Sequence, residues 1–176
     1  MRGDLMFIHL AVILMVGIAC VTDLRWRRIP NSLVLSGALA GMGLNLWAGG
    51  WRGAGWSLLG AGLGLALFLP FFTLGGMGAG DVKLLAALGS LLGPVDLMTT
   101  ALAGALAGGI LALAAALWQR RLMETFRGIG RLVAFWFSGG LRPCPELCLS
   151  HPDALRIPYA VPLAAGACLI VASHWS

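Results

Sequence analysis

Asp23 and Asp81 are the residues most able to do chemistry in this chain. Asp23 ends the first apolar run, in Cys20-Val21-Thr22-Asp23-Leu24-Arg25. Asp81 follows a glycine cluster, in Gly76-Met77-Gly78-Ala79-Gly80-Asp81-Val82-Lys83. Ionisable groups at the edge of a membrane segment are costly and point to function. Two carboxyls that can be brought together cannot both ionise cheaply, so they share a proton. Such a pair can take a proton from water with one member and donate one to a carbonyl with the other, the minimal machinery for peptide-bond hydrolysis. Spacing alone does not assign which aspartate is acid and which is base.

The chain that must position this pair has 176 residues, 59% hydrophobic and only 11% charged, with a mean hydropathy of +0.90. A soluble domain carries about 25% charged residues, so this composition excludes one. It specifies an all-α, polytopic membrane bundle, read as a single domain over 1–176. Six apolar runs are expected to span: Leu5–Val21, Leu33–Ala48, Trp56–Phe72, Val82–Leu92, Leu97–Trp118 and Ile157–Val171. Several are shorter than the ~20 residues of an ideal span. The fourth is the shortest, and reads either as a full span extended through Pro94 or as a half-span packed among its neighbours.

Charge gives the orientation. With both ends outside and six crossings, Arg25, Arg27, Arg28, Lys83, Arg120, Arg121, Arg127, Arg131, Arg142 and Arg156 are inside, and only Arg2 and Arg52 are outside. That distribution obeys the positive-inside rule and puts Asp23 and Asp81 on the same, cytoplasmic face. It also explains the net charge of +5 without nucleic acid, because the arginines flank apolar runs and form no basic stripe. The first run is a retained span, since its positive cluster follows the apolar stretch.

Residues 119–156 are expected to form a cytoplasmic loop. Within it Leu122, Phe126, Ile129, Val133 and Trp136 recur at helical spacing, with Arg120, Arg127 and Arg131 on another face. This reads as an amphipathic helix lying on anionic lipid. Cys144, Cys148 and His151 offer three ligands where a structural zinc site usually has four, so no metal and no cofactor is expected. Gly37 and Gly41, Gly60 and Gly64, and Gly104 and Gly108 are four apart, a spacing that lets helices approach closely and that a glycine-rich chain also produces by chance.

The glycines before Asp81 do not form a nucleotide loop, since no strand precedes them and no Lys-Ser/Thr follows. They suit the close approach of an extended backbone to the carboxyls. Arg25 and Arg27 read as lipid anchors. Arg28 is open between that role and holding an aspartate in its charged form. Asn31 or Ser32 caps the second helix after Pro30. Lys83, two residues past Asp81, points away from it on a regular helix and reads as a positive-inside anchor.

Three segments together resemble the type IV prepilin peptidases: Asp-x-x-x-x-Arg-Ile-Pro-Asn from Asp23, Gly-x-Gly-Asp-Val-Lys from Gly78, and Ile157-Pro158-Tyr159-Ala160-Val161-Pro162. The resemblance runs over nearly the whole chain, in order. It implies an aspartic endopeptidase of the bacterial inner membrane that removes leaders from prepilins or pseudopilins at the cytoplasmic face. It implies Asp23 and Asp81 as the catalytic pair, with Gly78, Gly80, Lys83, Arg28 and Asn31 binding substrate or supporting the loops. Long members carry a cytoplasmic N-terminal region with paired C-x2-C motifs, associated with N-methylation. This chain opens directly on its first span and is similar to the short form of tight-adherence (Flp) pilus systems, so methyl transfer is not implied. The competing reading, from another class, is a small transporter or channel subunit using the two aspartates for protons or cations. No internal repeat supports it, and both aspartates map to one face rather than the midplane.

Overall fold

The structure is a computed structural model that describes residues 2–73, 77–118, 123, 127 and 159–174. Four helices make up the described fold: α1 (Arg2–Trp26), α2 (Asn31–Thr73), α3 (Ala79–Trp118) and α4 (Ala160–Ser173). Leu5–Trp26 of α1 and the whole of α2 and α3 are long and apolar enough to cross a membrane, and α4 is apolar but shorter.

Two of these helices are broken. Gly50 in α2 has φ 59° and Gly93 in α3 has φ 77°, in the left-handed region that glycine enters at little cost. At both breaks the chain turns back. Residues 37–41 of α2 lie beside 87–91 of α3 and advance with them, for a Cβ on Gly37 would lie 3.6 Å from Ala87 and one on Gly41 2.7 Å from the Leu91 nitrogen. Beyond Gly50 the order inverts: Ser57 meets Ser90, Gly60 meets Gly89, and Gly64 meets Leu85 and Ala86. Residues 51–73 therefore run antiparallel to 31–49. In α3 the segment after Gly93 returns in the same way. Gly104 packs on Leu163 and Gly108 on Pro162, with α4 antiparallel to it. The four helices thus comprise six helical segments, two in α2 and two in α3.

α4 also runs antiparallel to α1. His174 stacks on His9 at one end, and Ala160 meets Cys20 and Asp23 at the other. His174 additionally lies 3.7 Å from Asp96. One end of the bundle therefore carries Asp23, Asp81 and Tyr159, and the far end carries His9, Asp96 and His174.

Small residues account for the close packing. All three glycine pairs singled out by spacing sit at helix crossings; at Gly37, Gly41, Gly60, Gly64 and Gly104 a side chain would crowd the neighbouring helix, while at Gly108 it would make only ordinary contact. Without a hydrophobic drive between helices in lipid, this close van der Waals contact is what holds them. The centre is the first segment of α3, where Leu84, Leu85, Leu88 and Leu91 are essentially inaccessible. The shortness of the fourth run has a physical reason in this position, because it is enclosed by both limbs of α2 and by α1.

The central Ser57, Ser90 and Asn45 are paired, whereas the buried Thr100 hydroxyl has no hydrogen-bond partner among the described residues. Ser90 donates to the Ala38 carbonyl at 2.8 Å and shares a 2.7 Å bond with Ser57. Asn45 donates to the carbonyls of Gly41, Ser90 and Leu91. In a medium without water these bonds tie α2 to α3. Outward, Leu35, Leu39, Leu58, Leu59, Leu102 and Leu106 are exposed, as expected of a lipid-facing surface. Trp47 and Trp51 are highly exposed near the Gly50 turn, and Trp26 and Trp118 are exposed toward the aspartate end, the placement of interfacial aromatic belts. Except for Met123 and Arg127, the expected amphipathic segment, with Cys144, Cys148 and His151, lies outside the described residues.

Candidate active site

α1 continues past the end of its apolar run, so Asp23 sits inside its last turn and not beyond it. A carboxylate at a helix C-terminus opposes the helix dipole. The N-terminus of α4 offsets that: the Ala160 backbone N–H donates to Asp23 Oδ2 at 3.4 Å. Asp23 is only 9% exposed. The chain leaves α1 through Arg27, whose N–H bonds the Asp23 carbonyl at 2.8 Å and whose φ is +50°.

Asp81 is placed by a different device. Gly78 caps α3, its carbonyl accepting the Asp81 and Val82 N–H groups. Asp81 is the third helical residue, and its carboxyl reaches back to the Gly78 N–H. This is one half of a capping box, with aspartate in the acidic position and no side chain on Gly78 to return the bond. A Cβ on Gly78 would lie 3.1 Å from Asp81 Oδ2, so glycine leaves that carboxyl room. Asp81 is partly buried and within electrostatic reach of Asp23. The fold thus brings together the two aspartates that the sequence singled out.

The other residues named from sequence divide. Gly80 packs on Ile29, with a Cβ there 3.3 Å from the Ile29 Cβ. Lys83 donates to Asn31 Oδ1 at 3.0 Å, so its ammonium meets the start of α2. Arg28 is exposed, and Arg25 stacks 5.5 Å from the Trp26 ring centre. No group of three or more metal-ligating side chains occurs among the described residues.

Sequence reasoning missed the contribution of α4. Ala160 acts through its backbone, which leaves no side-chain signature. Tyr159 is half-buried and within electrostatic reach of Asp81, its ring near Gly108. The available signal was the segment Ile157-Pro158-Tyr159-Ala160-Val161-Pro162, which carried the resemblance but was given no role.

A helical membrane-type bundle with two carboxyls gathered at one end has the parts of an acid–base hydrolase. The profile of the type IV leader peptidase family matches residues 10–113, a stretch that contains both aspartates and the glycines, Arg28, Asn31 and Lys83. The chain belongs to that family, one of proteases. No curated protein and no solved structure matches it.

Proposed function

We propose that this protein is an aspartic endopeptidase that removes the leader from prepilins or pseudopilins at the cytoplasmic face of a bacterial inner membrane, with Asp23 and Asp81 as its catalytic pair. The observation that carries this reading is that the two aspartates lie at one end of the bundle within electrostatic reach of each other, each held by a backbone N–H. One carboxylate takes a proton from water as the water attacks the scissile carbonyl. The other, protonated, donates to that carbonyl oxygen. Gly78 leaves room for the Asp81 carboxyl, and Gly80 lets α3 approach Ile29. Arg28, exposed at this end, anchors the segment to lipid headgroups. The six helical segments cross the membrane within a single domain over 1–176, with both ends outside, and the positive charges hold the aspartate end in the cytoplasm. The reaction needs no cofactor.

The test is co-expression with prepilins encoded beside the protein, followed by mass measurement of their N-termini. Asp23→Asn and Asp81→Asn each abolish cleavage while the protein still inserts. Substantial processing by either variant would remove the pair from the mechanism.

A further inference from the structure

The two motifs around the aspartates meet in space at a second place. Asp23 lies on α1 and Asp81 on α3, and the short path between them runs through the linker 27–30 and the start of α2. That linker is held at two points. Ile29 is packed against Gly80, with no room for a larger residue at 80 unless Ile29 gives way. Asn31, the first residue of α2, accepts a 3.0 Å hydrogen bond from Lys83 Nζ. At the other end of the linker Arg27 adopts a left-handed φ of +50°, unusual for a residue with a side chain and kept only where the surroundings enforce it.

Lys83 is two residues past Asp81, so its side chain leaves the helix on another side. Both Asn31 and Lys83 are exposed, and an exposed polar pair adds little to global stability. Its effect lies instead in what it joins: the first turn of α3, which carries Asp81, and the linker that leaves the last turn of α1, which carries Asp23.

We propose that Lys83 and Asn31 are positioning residues, their hydrogen bond clamping the start of α2, where the 27–30 linker ends, to the start of α3 and so setting the spacing of Asp23 and Asp81. This rests on the peptidase reading for its effect on rate, but the clamp itself can be tested without catalysis. The cost of misplacing reacting groups is steep, up to about 100-fold for about 1 Å, so a modest slackening registers in kcat.

Two measurements test the proposal. In the first, cleavage of a detergent-solubilised prepilin is followed for Asn31→Ala, Lys83→Met and the double variant. Each single change lowers kcat by about tenfold with little change in KM, and the double variant is no slower than the worse single, because one bond has been removed. Independent losses that multiply overturn the clamp. So does a rise in KM confined to Lys83→Met, which would put the ammonium on the substrate. In the second, Ile29→Cys and Gly80→Cys are introduced together. Their Cβ atoms fall near disulfide range, and copper phenanthroline cross-links them, with the product identified by the mass of the linked peptides. Adding Lys83→Met lowers the yield several-fold. An unchanged yield overturns the clamp whatever the kinetics show. If the yield falls but Asp23→Asn and Asp81→Asn still cleave, the clamp stands and the assignment of the catalytic pair fails.

Discussion

Ser57 and Ser90 face each other across the enclosed centre of the bundle, their hydroxyls 2.7 Å apart. The arrangement is unsymmetrical. Ser90 also donates to the Ala38 carbonyl, so the Ser57 hydroxyl must supply the proton of the shared bond. Ser90→Ala therefore leaves two groups without their partner, the Ser57 hydroxyl and the Ala38 carbonyl. Ser57→Ala leaves Ser90 its bond to Ala38. Bonds of this kind in membranes average about 0.6 kcal/mol, so Ser90→Ala costs about 1 kcal/mol and Ser57→Ala about half of that. Unfolding in mixed micelles measures both. A larger loss for Ser57→Ala would contradict the direction of the shared bond.

Glycines along α2 separate packing from composition. Gly60 is pressed on the Gly89 backbone, while a side chain at Gly62 would meet open space. Gly60→Ala is expected to destabilise by about 1–3 kcal/mol, the usual cost of overfilling a packed contact. Gly62→Ala is neutral or stabilising by up to about 1 kcal/mol, since alanine is the better helix former. The same unfolding assay decides it, and equal effects would mean that α2 does not cross α3 where described.

At Asp23, charge and geometry can be pulled apart. Asparagine keeps an oxygen that can accept the Ala160 N–H, so Asp23→Asn removes charge while α4 stays docked. Asp23→Ala removes the acceptor as well and leaves a buried N–H unpaired, a loss of about 1–3 kcal/mol. Both variants are expected to be inactive, and only the alanine variant to show faster hydrogen exchange at the start of α4. Equal exchange in the two would show that Ala160 does not depend on the Asp23 side chain.

Cys144 and Cys148 are expected to be dispensable. If the loop is cytoplasmic, as proposed, its thiols are expected to be free, and Cys144, Cys148 and His151 are one short of a zinc set. The Cys144→Ser/Cys148→Ser variant should cleave prepilin at the unaltered rate. Loss of activity together with loss of a protein-bound metal, measured by elemental analysis, would reverse this assignment.

The aspartates were legible because a charge in so apolar a chain stands out. The segments were legible because hydropathy registers lipid-facing leucines. The turns were less so. Trp51, Arg52, Gly53, Ala54 and Gly55 fall between the second and third apolar runs, yet they are helical, because one left-handed glycine at 50 reverses the chain almost without a loop. The fourth run looked short because its enclosure in the bundle frees it from the demands of a lipid-facing span. Asn31 and Lys83 could be named but not paired, since nothing local in either segment tells how α2 and α3 align. Ala160 was out of reach altogether, because a backbone N–H belongs to every residue but proline.

The bond between Ala160 and Asp23 spans 137 positions of sequence and has a consequence for biogenesis. α1 enters the membrane early in synthesis, whereas α4 follows every other described helix. Until α4 inserts, the Asp23 carboxyl lacks the donor that offsets its place at a helix C-terminus, and Tyr159 is absent from the neighbourhood of Asp81. The neighbourhood of the two aspartates is therefore complete only once the last described helix is in place.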